Sequence, residues 1–227
     1  MSPGSSDIPV IAIDGPSGSG KGTISRQVAL ALGWHLLDSG ALYRLVAVAA
    51  TESGTSYASE DELASIAASL EVRFGTDASG LEQIWLAGSE VSARVRGEEC
   101  GLMASKIAAL PQVRTALLEL QRGFRKAPGL VADGRDMGSM VFPDSRLKVF
   151  LTASAEERAK RRHKQLKGKG IDVSLPALSR DIEDRDRRDS ERSVAPLRPA
   201  DDARMLDSSK LTIDEVTQTI LDWVSES

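Results

Sequence analysis

The chain has 227 residues, 41% of them hydrophobic and 27% charged, which provides for a real core but leaves little room for more than one globular domain with an inserted or mobile subdomain. A formal charge of −4 argues against a nucleic-acid binder that works through overall basicity. The single cysteine, Cys100, cannot close an internal disulfide or build a thiolate metal centre, so a reducing compartment is expected.

Residues 1–7 are expected to form a flexible tail, because MSPGSSD has neither the basic start nor the apolar centre of a signal peptide. No apolar run is long enough to span a bilayer, and the expected location is the cytoplasm. Residues 10–14 are an apolar run that ends at a glycine loop, as a buried central strand does. A helix is expected over 23–32, where Ile24, Val28 and Leu32 recur at four-residue spacing and Gly33 supplies a stop. A short strand at 34–37 and a helix at 41–51 follow, then an amphipathic helix at 60–70 with Leu63, Ile66, Ala67 and Leu70 on one face.

The pattern then changes. LEVRFGTDASGLEQIWLAG holds two short strand-like segments around a Gly/Asp/Ser turn, a hairpin signature, and 62–104 is expected to be an insertion of different architecture. Beyond it the alternation resumes. A helix runs from 111 to about 126, a buried strand lies in GLVADGRDMG and another in SRLKVFLTAS. Helices follow over 155–166 and from 175 to about 192, then a fifth strand in ARMLDSS and a closing helix over 212–224. Strands alternating with helices predict an α/β fold with a mainly parallel sheet and helices on both faces.

Gly15 to Lys21 satisfies G-x-x-x-x-G-K and sits after a strand and before a helix, where its mechanism requires it. Glycine lets the backbone turn so that successive N–H groups face one ligand, and the helix N-terminus adds a positive dipole end. Gly15, Pro16, Ser17, Gly18, Ser19, Gly20, Lys21, Gly22 and Thr23 are therefore the predicted binding site for the phosphates of ATP, with Lys21 as a mobile cation on a surface-facing loop. The general motif places Ser or Thr directly after the lysine to ligate magnesium. Here Gly22 stands there and the hydroxyl comes one residue later, so Mg2+ is expected to be held by nucleotide phosphates and water.

No N-K-x-D guanine reader is present, whereas arginine is abundant near strand ends. In EDRDRRDSER, helical spacing puts Arg185, Asp189 and Arg192 on one face with Arg188 beside them, while Arg187 points elsewhere. Arg158, Arg161 and Arg162 make a second stripe, equally consistent with a solvated surface. Asp38 and Ser39 end one strand with Arg44 a turn further on, ready to reach a phosphate. Asp133 and Asp136 flank Arg135 beyond another strand, at the sheet edge where open α/β sheets hold ligands.

In order and spacing, IDGPSGSGKGT, LLDSGALYR, ADGRDMG, DRDRRDSER with VAPL, and LDSS resemble the bacterial cytidylate kinases over nearly the whole chain. The resemblance implies a P-loop three-layer α/β/α fold with a five-stranded parallel sheet. It implies a core of 8–61, 105–154 and 193–227, a monophosphate-binding insert with a small antiparallel sheet at about 62–104, and a helical lid at about 155–192. It implies transfer of the γ-phosphoryl group of ATP to CMP or dCMP with Mg2+, by a monomer with no nucleic-acid or membrane partner. Lys21, Arg135, Arg185 and Arg158 would carry the transfer. Ser39, Arg44 and Arg135 would surround the acceptor phosphate. Ser105, Arg114, Asp136 and Arg192 would read cytosine, and Arg185 and Asp189 would meet ribose and phosphate. Cytosine presents two acceptors and one amino donor, and uracil reverses the pattern on one edge. Each buried mismatch costs roughly 1–3 kcal/mol, so UMP is expected to be a poor substrate. A kinase for UMP, dTMP or a shikimate-like alcohol, or a nucleotide-binding module without catalysis, stands as the alternative.

Overall fold

The computed structural model describes residues 7–76, 82–168 and 170–226. The expected tail, apart from Asp7, and the Gly/Asp/Ser turn at 77–81 lie outside the described residues. The chain divides into two compact units, one comprising residues up to 38 together with 122 onward, the other residues 39–121.

The first unit is built on a five-stranded, all-parallel sheet. Its strands are β1 (Val10–Asp14), β2 (His35–Asp38), and three that follow the second unit in sequence, spanning Leu130–Gly134, Leu147–Thr152 and Arg204–Asp207. The second unit begins with α2 (Ser39–Ser53) and α3 (Glu60–Ala68), which come after α1 (Lys21–Leu32) of the first. It continues with β3 (Val72–Thr76), β4 (Glu82–Leu86) and β5 (Ser89–Glu90), then α4 (Ser92–Val95), α5 (Glu98–Ile107) and α6 (Pro111–Arg122). The three later strands of the first unit are thus β6, β7 and β8, and its remaining helices are α7 (Ala155–Gly168), α8 (Leu175–Ser190) and α9 (Ile213–Glu226).

The sheet runs β2-β6-β1-β7-β8. β1 and β6 are buried at every residue, as the apolar runs Val10–Ile13 and Leu130–Ala132 require of central parallel strands, and the burial extends to the aspartates that follow them. The edge strand β8 alternates between half-buried and exposed positions. On one face, Ile11, Ile13, Val131, Val149 and Leu151 pack with Ile24 and Val28 of α1 and Val216 and Ile220 of α9. α1 turns Lys21, Ile24, Ser25, Val28 and Ala29 inward at helical spacing, and Gly33 closes it in the left-handed conformation (φ 65°). On the other face a π-helical turn, Met137–Val141, packs against β1, with Gly138 close to Ala12.

All five predicted strands of this sheet form. The hairpin forms as well, with Phe74 opposite Ile84, and gains a third strand in β5. Several helix ends differ from expectation by one to four residues, and two of them have a clear local cause. α6 stops at Arg122 because Gly123 follows. α8 stops at Ser190: the chain reverses through Ala195 at φ 49°, ahead of Pro196, and the Leu197 amide donates to the Asp189 carbonyl at 2.8 Å. Arg192 therefore lies beyond the helix, although it still meets Asp189.

Candidate active site

In the first unit, chemistry collects just past the C-terminal ends of the strands, where an open parallel sheet leaves a crevice. The glycine loop follows β1, Arg135 and Asp136 follow β6, α7 with Arg158 follows β7, and Ser208 follows β8.

The loop is shaped by its glycines. Gly15 adopts φ 150°, and a Cβ there would stand 2.1 Å from the Leu151 carbonyl oxygen, so no other residue fits. Gly18 and Gly20 also have positive φ, and Gly20 opens α1. Three loop carbonyls are taken up by protein donors. Lys21 Nζ donates to Pro16 at 2.9 Å, Arg158 to Ser17 at 3.0 Å and Arg161 to Ser19 at 3.3 Å. Ser208 Oγ lies 3.1 Å from the Ser19 carbonyl and 2.9 Å from that of Thr152. In a trans peptide the next N–H points opposite to the carbonyl, so this pinning turns the Gly18 and Gly20 amides the other way, as an anion cradle needs.

Lys21 corrects one expectation. It is not a mobile cation on an exposed loop but a buried ammonium, 6% exposed. Burial lowers it to about 7, and Arg135 pushes in the same direction, while Asp133 and Asp14 resist. Asp133, at the end of β6 and beside Gly22, is raised by burial, against the pull of Lys21 and with a push from Asp38. An anion arriving at the loop would restore the lysine charge that burial disfavours.

The second gathering centres on Asp189, which is 1% exposed. Its Oδ2 accepts from Arg135 Nε at 3.0 Å, and Oδ1 accepts from Arg192. Burial alone would raise this carboxyl, but Arg135, Arg192 and Arg185 outweigh it and hold it below the usual carboxylate range. Three guanidiniums around one carboxylate leave a net positive cluster at a buried spot, which suits a phosphate. Arg187 is exposed, as expected. Arg188 is exposed too, bonded to the Asp184 carbonyl, and so does not join the cluster.

The two stripe readings separate residue by residue. Arg158 is 5% exposed and grips Asp186 of α8 through both terminal nitrogens, at 3.0 and 2.5 Å, besides the Ser17 and Ala153 carbonyls. Arg161 joins Glu157, Ser19 and Ser208. Arg162 pairs with Gln165 at an exposed position.

Four predicted acceptor residues belong to the second unit. Ser39 opens α2 and accepts from Gln121 at 3.2 Å. Arg44 donates to the carbonyls of Val95 and Gly97, at 2.8 and 3.0 Å, where a free arm was expected. Gly101 lies under it: a Cβ there would come 2.7 Å from the guanidinium. Ser105 is buried with its hydroxyl unbonded, and Arg114 stacks 5.9 Å from the Tyr43 ring while donating to the Ala108 carbonyl. Arg135, Asp136, Arg185, Asp189 and Arg192 belong to the first unit.

Sequence reasoning missed Asp14, Asp186 and Ser208. All three stand in motifs that carry the family resemblance, IDGPSGSGKGT, DRDRRDSER and LDSS, but none is given a role there. Among the described residues no three His, Cys, Asp or Glu side chains form a metal cage, and no helix is long and apolar enough to cross a membrane.

A family model described as cytidylate kinase matches residues 11–226. The chain is 60% identical to a cytidylate kinase of Methylococcus capsulatus, over 96% of this chain and 97% of that one. It is 57% identical to a cytidylate kinase of Nitrosococcus oceani, covering 97% and 98%, and 58% identical to one of Pseudomonas aeruginosa, covering 94% of each chain.

Proposed function

Because the chain belongs to the cytidylate kinase family, we propose that it transfers the γ-phosphoryl group of ATP to CMP, and to dCMP, yielding ADP and CDP or dCDP. The observation that carries this reading is the pairing, in one unit, of a glycine loop whose carbonyls are pinned outward with a cluster of three arginines around the buried Asp189. One suits a donor phosphate chain and the other an acceptor phosphate.

In this reading Gly15, Pro16, Ser17, Gly18, Ser19, Gly20, Lys21, Gly22 and Thr23 bind ATP. Ser39, Arg44 and Arg135 bind the acceptor phosphate, Ser105, Arg114, Asp136 and Arg192 bind cytosine, and Arg185 and Asp189 bind ribose and phosphate. An oxygen of the CMP phosphate attacks the γ-phosphorus in line while the bond to the β–γ bridging oxygen breaks, and the displaced charge remains on ADP. No side chain acts as a nucleophile. Lys21, Arg135, Arg185 and Arg158 hold the two phosphates together and spread the transferring charge. Residues 62–104 serve as the acceptor insert and 155–192 as the lid, in a monomer working in the cytoplasm.

Mg2+ fits this site as a phosphate-held ion. Asp133 offers a hard oxygen donor beside Gly22 and Lys21, while the described residues form no protein cage of three ligands. Asp133 would face it through water. When bound, the ion neutralises β- and γ-phosphate oxygens.

The test is ADP release from ATP with CMP, dCMP, UMP, AMP or dTMP as acceptor. CMP and dCMP should be used best, with UMP roughly 10- to 100-fold poorer in kcat/KM, in line with one or two buried polar mismatches. ADP release that is greatest with another acceptor, or absent with all of them, overturns the reading.

A further inference from the structure

Asp14 is the last residue of β1 and is buried. Its two carboxylate oxygens accept from separate main-chain donors 123 and 124 residues away. The Met137 amide bonds to Oδ1 at 2.8 Å and the Gly138 amide to Oδ2 at 2.9 Å. β1 and β6 are neighbours in register, with Asp14 opposite Gly134. Arg135 and Asp136 are thus a two-residue span between fixed points: Gly134 in the sheet, and Met137 tied to Asp14.

Packing makes the second point narrow. A Cβ on Gly134 would meet the Met137 side chain at 2.7 Å, and one on Gly138 would stand 3.1 Å from Lys148 and 3.4 Å from Ala12. Met137 is wholly buried. The π-helical turn then begins on the Asp136 carbonyl, which accepts from the Met140 and Val141 amides. A shift of Met137 or Gly138 therefore moves the span that carries Arg135, which bonds Asp189, and Asp136.

We infer that Asp14 is a positioning residue for the acceptor side of the site, whose ionised carboxylate fixes where Arg135 and Asp136 stand while contributing little to ATP binding. This inference rests on the assignment of Arg135 and Asp136 to CMP.

Only the carboxylate accepts two N–H bonds at full strength, one on each oxygen. An amide turns one of the two positions into a donor facing a donor, and a protonated carboxyl leaves only the weaker hydroxyl acceptor on one oxygen. The charged groups facing Asp14 are Lys21 of α1, Asp133 of β6 and Asp136, and Lys148 of β7, near Gly138, is paired with Asp202. Burial raises the Asp14 carboxyl to about 6, against the two amide bonds that lower it. The clamp is therefore intact at pH 7.5 and released as pH falls below about 6.

The test compares wild type with Asp14→Asn. At pH 7.5 the variant should lose about 100-fold in kcat/KM for CMP, as a displaced positioning group does, with KM for ATP moved less than threefold. The substrate phosphate itself titrates near pH 6. Because it does so equally for both proteins, the readout is the ratio of wild type to variant, which should shrink towards one between pH 7.5 and 5. A ratio that stays constant with pH, equal losses for ATP and CMP, or a CMP loss under threefold overturns the inference.

If Asp14→Asn does not fold, amide exchange on the wild type decides. Relative to Val131 and Ala132 of β6, protection at Met137 and Gly138 should fall between pH 7.5 and 5, and unchanged relative protection overturns the inference. Exchange needs no substrate, so it separates this outcome from failure of the CMP assignment, which would appear as wild type releasing no ADP with CMP.

Discussion

The glycine loop and the arginine cluster belong to the same unit and both collect charge past the ends of buried strands, yet they are built in opposite ways. The loop uses main chain. Nine consecutive residues bend on glycines, of which Gly15 has no room for a Cβ and Gly18 and Gly20 hold positive φ, while Arg158, Arg161 and Ser208 pin its carbonyls. The cluster uses long side chains drawn from β6 and from either side of the end of α8, with Asp189 holding like charges together. A backbone cradle is set by local geometry and costs little to keep empty. A guanidinium cluster is held by one buried carboxylate and gains most when an anion enters. The donor side should therefore tolerate loss of charge in its fold but not in its chemistry, whereas the acceptor side should feel both.

Lys21→Met tests the loop most severely. Turnover should fall by about 10³-fold or more, since removing a single preorganised donor already costs about 10²–10³. The fold should hold or gain, because the buried ammonium is disfavoured where it sits. The sign follows from linkage. With its folded value near 7 and the usual lysine value at 10.5, the folded protein binds fewer protons than the unfolded chain across that window. Lys21 thus makes wild type more stable as pH rises from 7 to 10, and the variant should lack that increment. Melting curves at pH 7 and 9.5 beside turnover measure both effects. A melting temperature several degrees lower for the variant at pH 7 would make Lys21 a structural residue.

The same contrast explains what was legible in the sequence. The loop was readable because its ligand-facing groups are consecutive and its strand and helix adjoin it. Arg185 and Asp189 were readable because helical spacing places them on one face. What Asp189 does was not readable, because its partner Arg135 lies 54 residues away and Arg192 reaches it from beyond the end of α8. α5 was hidden within the predicted insertion because EECGLMASKI has a glycine mid-helix. That glycine answers to the Arg44 guanidinium packed on it, which no local rule reveals. β5, at two residues, is too short for any periodicity. Asp14 was read only as the end of a strand, since both amides it holds are more than 120 residues away.

Arg185→Ala probes the cluster. Removing one of three cations from around Asp189 should lower kcat/KM for CMP by about 10²-fold, the order expected for a charged group that meets the transferring phosphate. Binding of an ATP analogue should change less than threefold, and calorimetry with each nucleotide reads the two separately. Equal losses for both would erase the division between a main-chain donor site and a side-chain acceptor site.

Arg158→Lys is the finest test, because Arg158 stands between the two constructions. Its guanidinium reaches the loop through the Ser17 carbonyl and α8 through Asp186, a fork that a lysine ammonium cannot reproduce even though it keeps the charge. If Arg158 releases Asp186 to meet the transferring phosphoryl group, charge is what counts in the reaction. Arg158→Lys should then lower kcat by about tenfold, less than outright loss of a donor, and leave KM for ATP within threefold. Losing the buried fork should also lower the melting temperature by about 4–8 °C, taking about 2 kcal/mol for the lost charged hydrogen bonds. The opposite split, KM for ATP raised tenfold with kcat retained, would make Arg158 a prop for the loop and leave Lys21, Arg135 and Arg185 to carry the transfer.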